Sequence, residues 1–285
     1  MKKHFAFVIC AALIGAIQAQ AEIIELDPIT VAESGVWVET LKAQLEAEGN
    51  PYAPENNDRT WCRELKDIPH TFVCAAFNTQ TINRAFSRIS IFAEGMTDWP
   101  PGVVYSWNDP STRYPMLIGP AGHDLRFSDV QKFYRELDAV CAQDKSLCPE
   151  AIETTLRSYI ETRDVGGNDA TIISIGLDER SYKNILSHEL IHAQYFQNPK
   201  FAEVIRGYWD AHHEDKEWIG FVRSELGQFY DLTNPLVMMN EVAAYSLGQP
   251  ATHSMMAQRR AEFADELTER ADALGVKILQ PEWAP

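Results

Sequence analysis

His188 and His192 stand four residues apart with Glu189 between them, in the run Ser187-His188-Glu189-Leu190-Ile191-His192-Ala193-Gln194. On a helix, positions i and i+4 share a face, so both imidazoles can reach one ion. Glu189 sits about 100° round such a helix, near enough to touch a water on that ion without ligating it. Two neutral nitrogen ligands, an open position and a neighbouring base are what a metal-dependent hydrolase needs, and HELIH matches the HExxH zinc pattern. Ile185, Leu186, Leu190, Ile191, Tyr195 and Phe196 make the helix apolar on most sides. It should therefore be buried, and buried imidazoles require partners.

Two histidines do not hold a catalytic zinc; a third protein ligand is expected. The extended pattern HExxHxxGxxH is excluded, because Tyr195 stands at the glycine position and Asn198 at that of the third histidine. The leading candidate is Glu241, in Met238-Met239-Asn240-Glu241-Val242-Ala243-Ala244-Tyr245, an almost wholly apolar stretch where an unpaired carboxylate would be costly. The alternative is the polar cluster Asp210-Ala211-His212-His213-Glu214-Asp215, which reads equally as a solvated helix face.

At this point the chain resembles the gluzincins, metallopeptidases with HExxH on one helix and a zinc-binding glutamate on a later one. Asn240-Glu241-Val242-Ala243-Ala244 is similar to their Asn-Glu-x-x-Ala, over a resemblance spanning roughly residues 171–248. Glu241 follows His192 by 49 residues, nearer the spacing of anthrax lethal-factor-like peptidases than of thermolysin-like ones. The resemblance implies Zn2+ held by His188, His192 and Glu241, with Glu189 as general base in peptide-bond hydrolysis. It also implies a hydroxyl or imidazole donor for the developing oxyanion, for which Tyr230, Tyr245 and His253 are candidates. Tyr245, one turn beyond Glu241, takes that catalytic position in our reading; thermolysin-like enzymes have an Asp there, orienting a zinc histidine. A second class of function is also open: a zinc-holding, inactive homologue that docks peptides without cutting them. Glu189 favours the enzyme, since a metal carrier needs no carboxylate there.

The elements that must position these residues can be read by periodicity. The β-branched run Thr171–Leu177 is of strand length and leads into the motif helix. Helices are expected near 36–48, 79–94, 128–143, 149–162, 201–229, 235–247 and 252–274, with Asn234-Pro235 a strong start signal. Residues 22–32 read as extended, and 51–60 and Gly166-Gly167-Asn168 as loop and turn. The stretch 95–127, rich in Gly, Pro and aromatics, reads as strands and long loops, with apolar runs at Val103–Trp107 and Met116–Ile118. The expected fold is α+β and predominantly helical: zincin-like, with a small sheet packed beside the HExxH helix. The sheet's edge strand would lie by the metal, able to pair with an extended peptide.

Lys2, Lys3 and His4, the apolar stretch Phe5–Ile17 and Ala19-Gln20-Ala21 form a signal-peptide pattern over residues 1–21. Residues 22–285 are read as a single metallopeptidase domain, exported to the periplasm or secreted. Removing 1–21 takes the net charge from −16 to about −18. Such acidity argues against nucleic acid and anionic membrane surfaces and leaves peptide or protein substrates as the expected partners. Cys62, Cys74, Cys141 and Cys148 remain, an even set that reads as two disulfides. Sequence-local pairing is the simplest of the three connectivities.

Overall fold

A computed structural model describes residues 21–48, 58–95, 99–109, 111, 116, 122–163, 165, 169–227, 230, 234–248 and 255–284. Strand β1 (Glu22–Ile29) leads into helix α1 (Val31–Ala47). The helix begins five residues before the expected position because Thr30 and Glu33 form a capping box: the Thr30 side chain accepts from Glu33 N, and Glu33 Oε2 accepts from Thr30 N at 2.7 Å. Strands β2 (Arg59–Leu65) and β3 (Thr71–Ala76) follow, then helix α2 (Thr79–Glu94). Strand β4 (Gly122–Arg126) runs directly into α3 (Phe127–Gln143), followed by α4 (Ala151–Glu161) and β5 (Thr171–Gly176). The rest is helical: α5 (Tyr182–Gln197), α6 (Pro199–His212), α7 (Lys216–Leu226), α8 (Pro235–Leu247) and α9 (Met255–Ala273). The single helix expected over 201–229 is thus two, broken where Asp215 turns its side chain onto the backbone N–H groups of Glu217 and Trp218 and caps α7. Val103–Trp107 forms no strand, Leu117 and Ile118 of the second apolar run lie outside the described residues, and among the described residues of that region the strand is β4, whose Gly-His-Asp-Leu-Arg carries no hydrophobic alternation. Residues 1–20 of the expected signal segment, residues 51–57, Gly166-Gly167-Asn168 and His253 lie outside the described residues.

The fold is α+β and predominantly helical, with a mixed sheet of order β1-β2-β3-β5-β4. β1/β2 and β3/β5 are parallel, while β2/β3 and β4/β5 are antiparallel. β3 and β5 are buried at every residue, as inner strands covered on both faces must be. Alternate residues of β3 supply the two cores. Phe72, Cys74 and Ala76 face α2, α3 and α4, while Val73 and Ala75 face α1 and α5. Each fully buried Ile or Phe there contributes roughly 1.5–3 kcal/mol of transfer free energy. A third apolar cluster joins α6–α9 to Ile191 of the motif helix, so α5 is shared between sheet and helical layer.

Disulfides link Cys62 to Cys74, which face each other across β2 and β3, and Cys141 to Cys148 at the end of α3. Two disulfides fit an extracellular protein, and no helix among the described residues is long and apolar enough to cross a membrane.

Edge strand β4 is locked to α2 through the buried His123. Its Nδ1 lies 2.8 Å from Ser90 Oγ and its Nε2 3.2 Å from Asn83 Oδ1, with the ring stacked on Phe86. Burial drives the His123 pKa down to about 3, so the ring is neutral and serves as a bolt.

Candidate metal centre

Helix α5 presents His188, Glu189 and His192 at the junction of sheet and helical layer, all buried. Helix α8 crosses it closely because small residues line the crossing. A Cβ on Gly248 would stand 2.5 Å from His188 Cα, and Ala243 and Ala244 are fully buried. That approach brings Glu241 to both histidines: its Oε2 is 3.3 Å from His188 Nε2 and its Oε1 3.5 Å from His192 Nε2. The two Nε2 atoms are 3.0 Å apart. Ligand atoms about 2.0–2.1 Å from a tetrahedral ion are separated by roughly 3.4 Å, so the three donors have the spacing of one face of such a shell. Their chemistry also fits: two imidazole nitrogens and a carboxylate converge, all three residues buried.

Electrostatics sharpen the picture. Burial would raise Glu241, but His192, His188 and the Tyr230 hydroxyl outweigh it and hold the carboxylate below its usual range. His192 is pushed down to about 4, chiefly by burial against the opposing pull of Glu241, leaving its ring neutral and able to donate a lone pair. Glu189 is raised well above the ordinary range by burial, then by Glu241 and Glu94, and its Oε2 has no hydrogen-bond partner. A carboxylate kept basic beside a ligand shell can take a proton.

β4 sets where Glu189 points. Gly122 passes so close to α5 that a Cβ there would meet Glu189 Oε1 at 2.6 Å and collide with Ile185. Only glycine fits. Two residues on, Asp124 lies with Oδ2 3.9 Å from His192 Nδ1, and Asp124, Glu189 and His192 form a second convergent group of possible ligands. Asp124 carries no sequence signal; only its place on the edge strand brings it here. The same holds for Glu94, at the end of α2.

The ring of Tyr245 packs edge-on against His188, with centroids 4.6 Å apart. Tyr230 and Tyr245 hydroxyls are in hydrogen-bond reach of each other, and Tyr230 also donates to Glu241. Both phenols are held neutral by burial and by Glu241. The 210–215 cluster lies elsewhere. His212 pairs with Glu266 of α9 at 2.8 Å, His213 Nδ1 bonds to Trp209 O, and Asp215 is a helix cap.

A cavity of about 200 Å³ adjoins Glu241 and is walled also by Glu94, Asp124, Arg126, Asp129 and Asn240. Compared with known proteins, the chain matches no family model, no curated protein and no solved structure.

Proposed function

We propose that the chain is an exported zinc-dependent metallopeptidase. The observation that carries the reading is the convergence of His188 Nε2, His192 Nε2 and Glu241 within 3.0–3.5 Å, with the partnerless Glu189 carboxyl oxygen alongside. His188, His192 and Glu241 would hold the ion, which when bound would supply Lewis acidity and a water acidified toward neutrality.

Glu189 Oε2 takes the proton released as water attacks the scissile carbonyl and hands it to the departing amine nitrogen. Gly122 fixes the carboxylate by leaving no room behind it. The phenols of Tyr230 and Tyr245, held neutral by burial, are the hydroxyl donors nearest Glu241 and would be the ones to turn toward charge developing on the carbonyl oxygen. β4 ends the sheet among the described residues, so its outer edge offers backbone groups to an extended substrate. The disulfides and the amino-terminal sequence pattern support delivery to the periplasm or beyond.

The test is Glu189→Gln in the purified chain. The variant should keep one zinc by mass spectrometry and lose hydrolysis of a peptide library by at least about 100-fold. Retained turnover would remove Glu189 from the chemistry, and a wild-type chain that takes up no zinc would remove the enzyme.

A further inference from the structure

His192 has two ring nitrogens, and the metal site employs one of them. Its Nε2 lies 3.0 Å from His188 Nε2 and 3.5 Å from Glu241 Oε1. A neutral imidazole that offers the Nε2 lone pair to an ion carries its proton on Nδ1, which makes that nitrogen a donor. The His192 side chain is 1% exposed, and its Nδ1 has no hydrogen-bond partner among the described residues. A buried donor in that state is rare, and the group that meets it decides which way the ring faces.

Asp124 of β4 stands opposite. Its Oδ2, 3.9 Å from His192 Nδ1, is a buried acceptor that likewise has no partner among the described residues. The gap is about 1 Å longer than an ordinary N–H···O hydrogen bond. A carboxyl oxygen accepts in either protonation state, so the contact does not depend on the charge that burial and the neighbouring Glu94, Glu189 and Glu241 impose. The backbone behind Asp124 is fixed, because it pairs with Ile173 of β5 and the adjacent His123 is bolted to α2. Asn240 of α8 also faces the His192 ring with a partnerless Oδ1. It neighbours Glu241 on one helix, however, and would tie the ring to no further element.

We propose that Asp124 is the positioning residue of His192, accepting the Nδ1 hydrogen so that Nε2 is the nitrogen presented to the metal. The inference rests on the metal site proposed above. One edge strand then steadies two side chains of the motif helix, with Gly122 behind Glu189 and Asp124 behind His192.

Two readouts on the purified chain test this: zinc affinity by chelator competition, and the His192 Nδ1 proton seen by NMR in zinc-loaded protein carrying isotope-labelled histidine. Asp124→Ala should weaken zinc binding by about 10–100-fold and speed exchange of that proton with solvent. Asp124→Asn keeps an acceptor oxygen and should recover most of both losses. Asp124→Leu, which fills the space without an acceptor, replaces the alanine variant should that one not fold. Wild-type affinity and an unchanged proton in Asp124→Ala overturn the positioning role and leave the metal site standing. Lost affinity that asparagine does not recover, with the proton unmoved, also overturns it, since Asp124 would then act on stability alone. Losses in Asn240→Ala that Asp124→Ala does not share give the ring to Asn240. A second zinc per chain, absent from Asp124→Ala, makes Asp124 a ligand and overturns the role as well. A wild-type chain that takes up no zinc removes the metal site and this inference together.

Discussion

Gly122→Ala is the substitution through which the edge strand's role can be measured. The added methyl would lie 2.6 Å from Glu189 Oε1 and against Ile185, whereas ordinary contact begins near 3.4 Å. Unless the strand moves, the Glu189 carboxylate must therefore retreat by about 0.8 Å and Ile185 Cγ2, met at 2.4 Å, by about 1.0 Å. β4 is bonded to β5 on one side and bolted to α2 through His123. Ile185 belongs to a helix buried on the sheet, so the carboxylate is the softest member of the contact. Overpacking of this kind costs about 1–3 kcal/mol of stability, and misplacing a catalytic group by about 1 Å lowers turnover on the order of 100-fold. That loss corresponds to about 2.7 kcal/mol of barrier. None of the three proposed metal donors is among the atoms nearest the new methyl, so zinc content should stay at the wild-type level. Zinc stoichiometry, thermal unfolding and kcat/KM on a cleaved library peptide, all on the same preparation, provide the readouts. Activity within twofold of wild type at unchanged stability would refute the argument that Gly122 positions Glu189. Zinc lost in step with activity would mean that β4 acts through the ligands instead.

Glu241→Ala should weaken zinc binding by at least about 100-fold in a chelator competition, since even partners outside the ligand shell are worth 10–100-fold; unchanged affinity would take Glu241 out of the ligand set. The chelator-treated chain should be most stable at mildly acidic pH. Glu94, raised from 4.5 to about 8, favours the folded state while protonated, so its contribution fades as pH rises across that window. His123 and His192, lowered from 6.5 to about 3 and 4, take back stability as pH falls below 6.5. Melting temperatures between pH 4 and 8.5 that climb steadily with pH would contradict the carboxyl half of this. Replacing Cys62 and Cys74 by Ala should reduce stability to denaturant by about 3 kcal/mol, the chain-entropy value for so short a loop. A loss below about 1 kcal/mol would mean the register of β2 and β3 holds without the bridge.

The motif helix, β5 and the helices at 79–94 and 235–247 were legible because each has a strong local signal. HELIH fixes residue types at helical spacing, Thr171–Gly176 is β-branched, and Asn78 and Asn234 cap their helices. β2 and β3 escaped because Thr, Cys, Arg and Glu interrupt one and Ala closes the other, so their strand character lies in their pairing. Glu241 could be proposed from its apolar surroundings, whereas Glu94 and Asp124 could not. A lone carboxylate in a sequence has no period, and these two meet the metal donors only once β4 has paired with β5 and α2 has packed on the sheet. The cluster at 210–215 was the alternative source of a third ligand; an ion pair with Glu266 of α9 employs its His212 elsewhere.

Past α9, the backbone of Leu279 exchanges two hydrogen bonds with the Gln194 side chain, at 2.7 and 3.0 Å, just two positions beyond His192. Further along, Glu282 N bonds to Ala32 O and Ala284 N to Glu39, so this strand-like tail straps the motif helix to α1. A ribosome delivers these residues only after every helix and strand described above has been made. The nascent polypeptide therefore carries its histidine helix without the strap throughout most of its synthesis. A tag or fusion appended close behind Ala284 would fall on that strap.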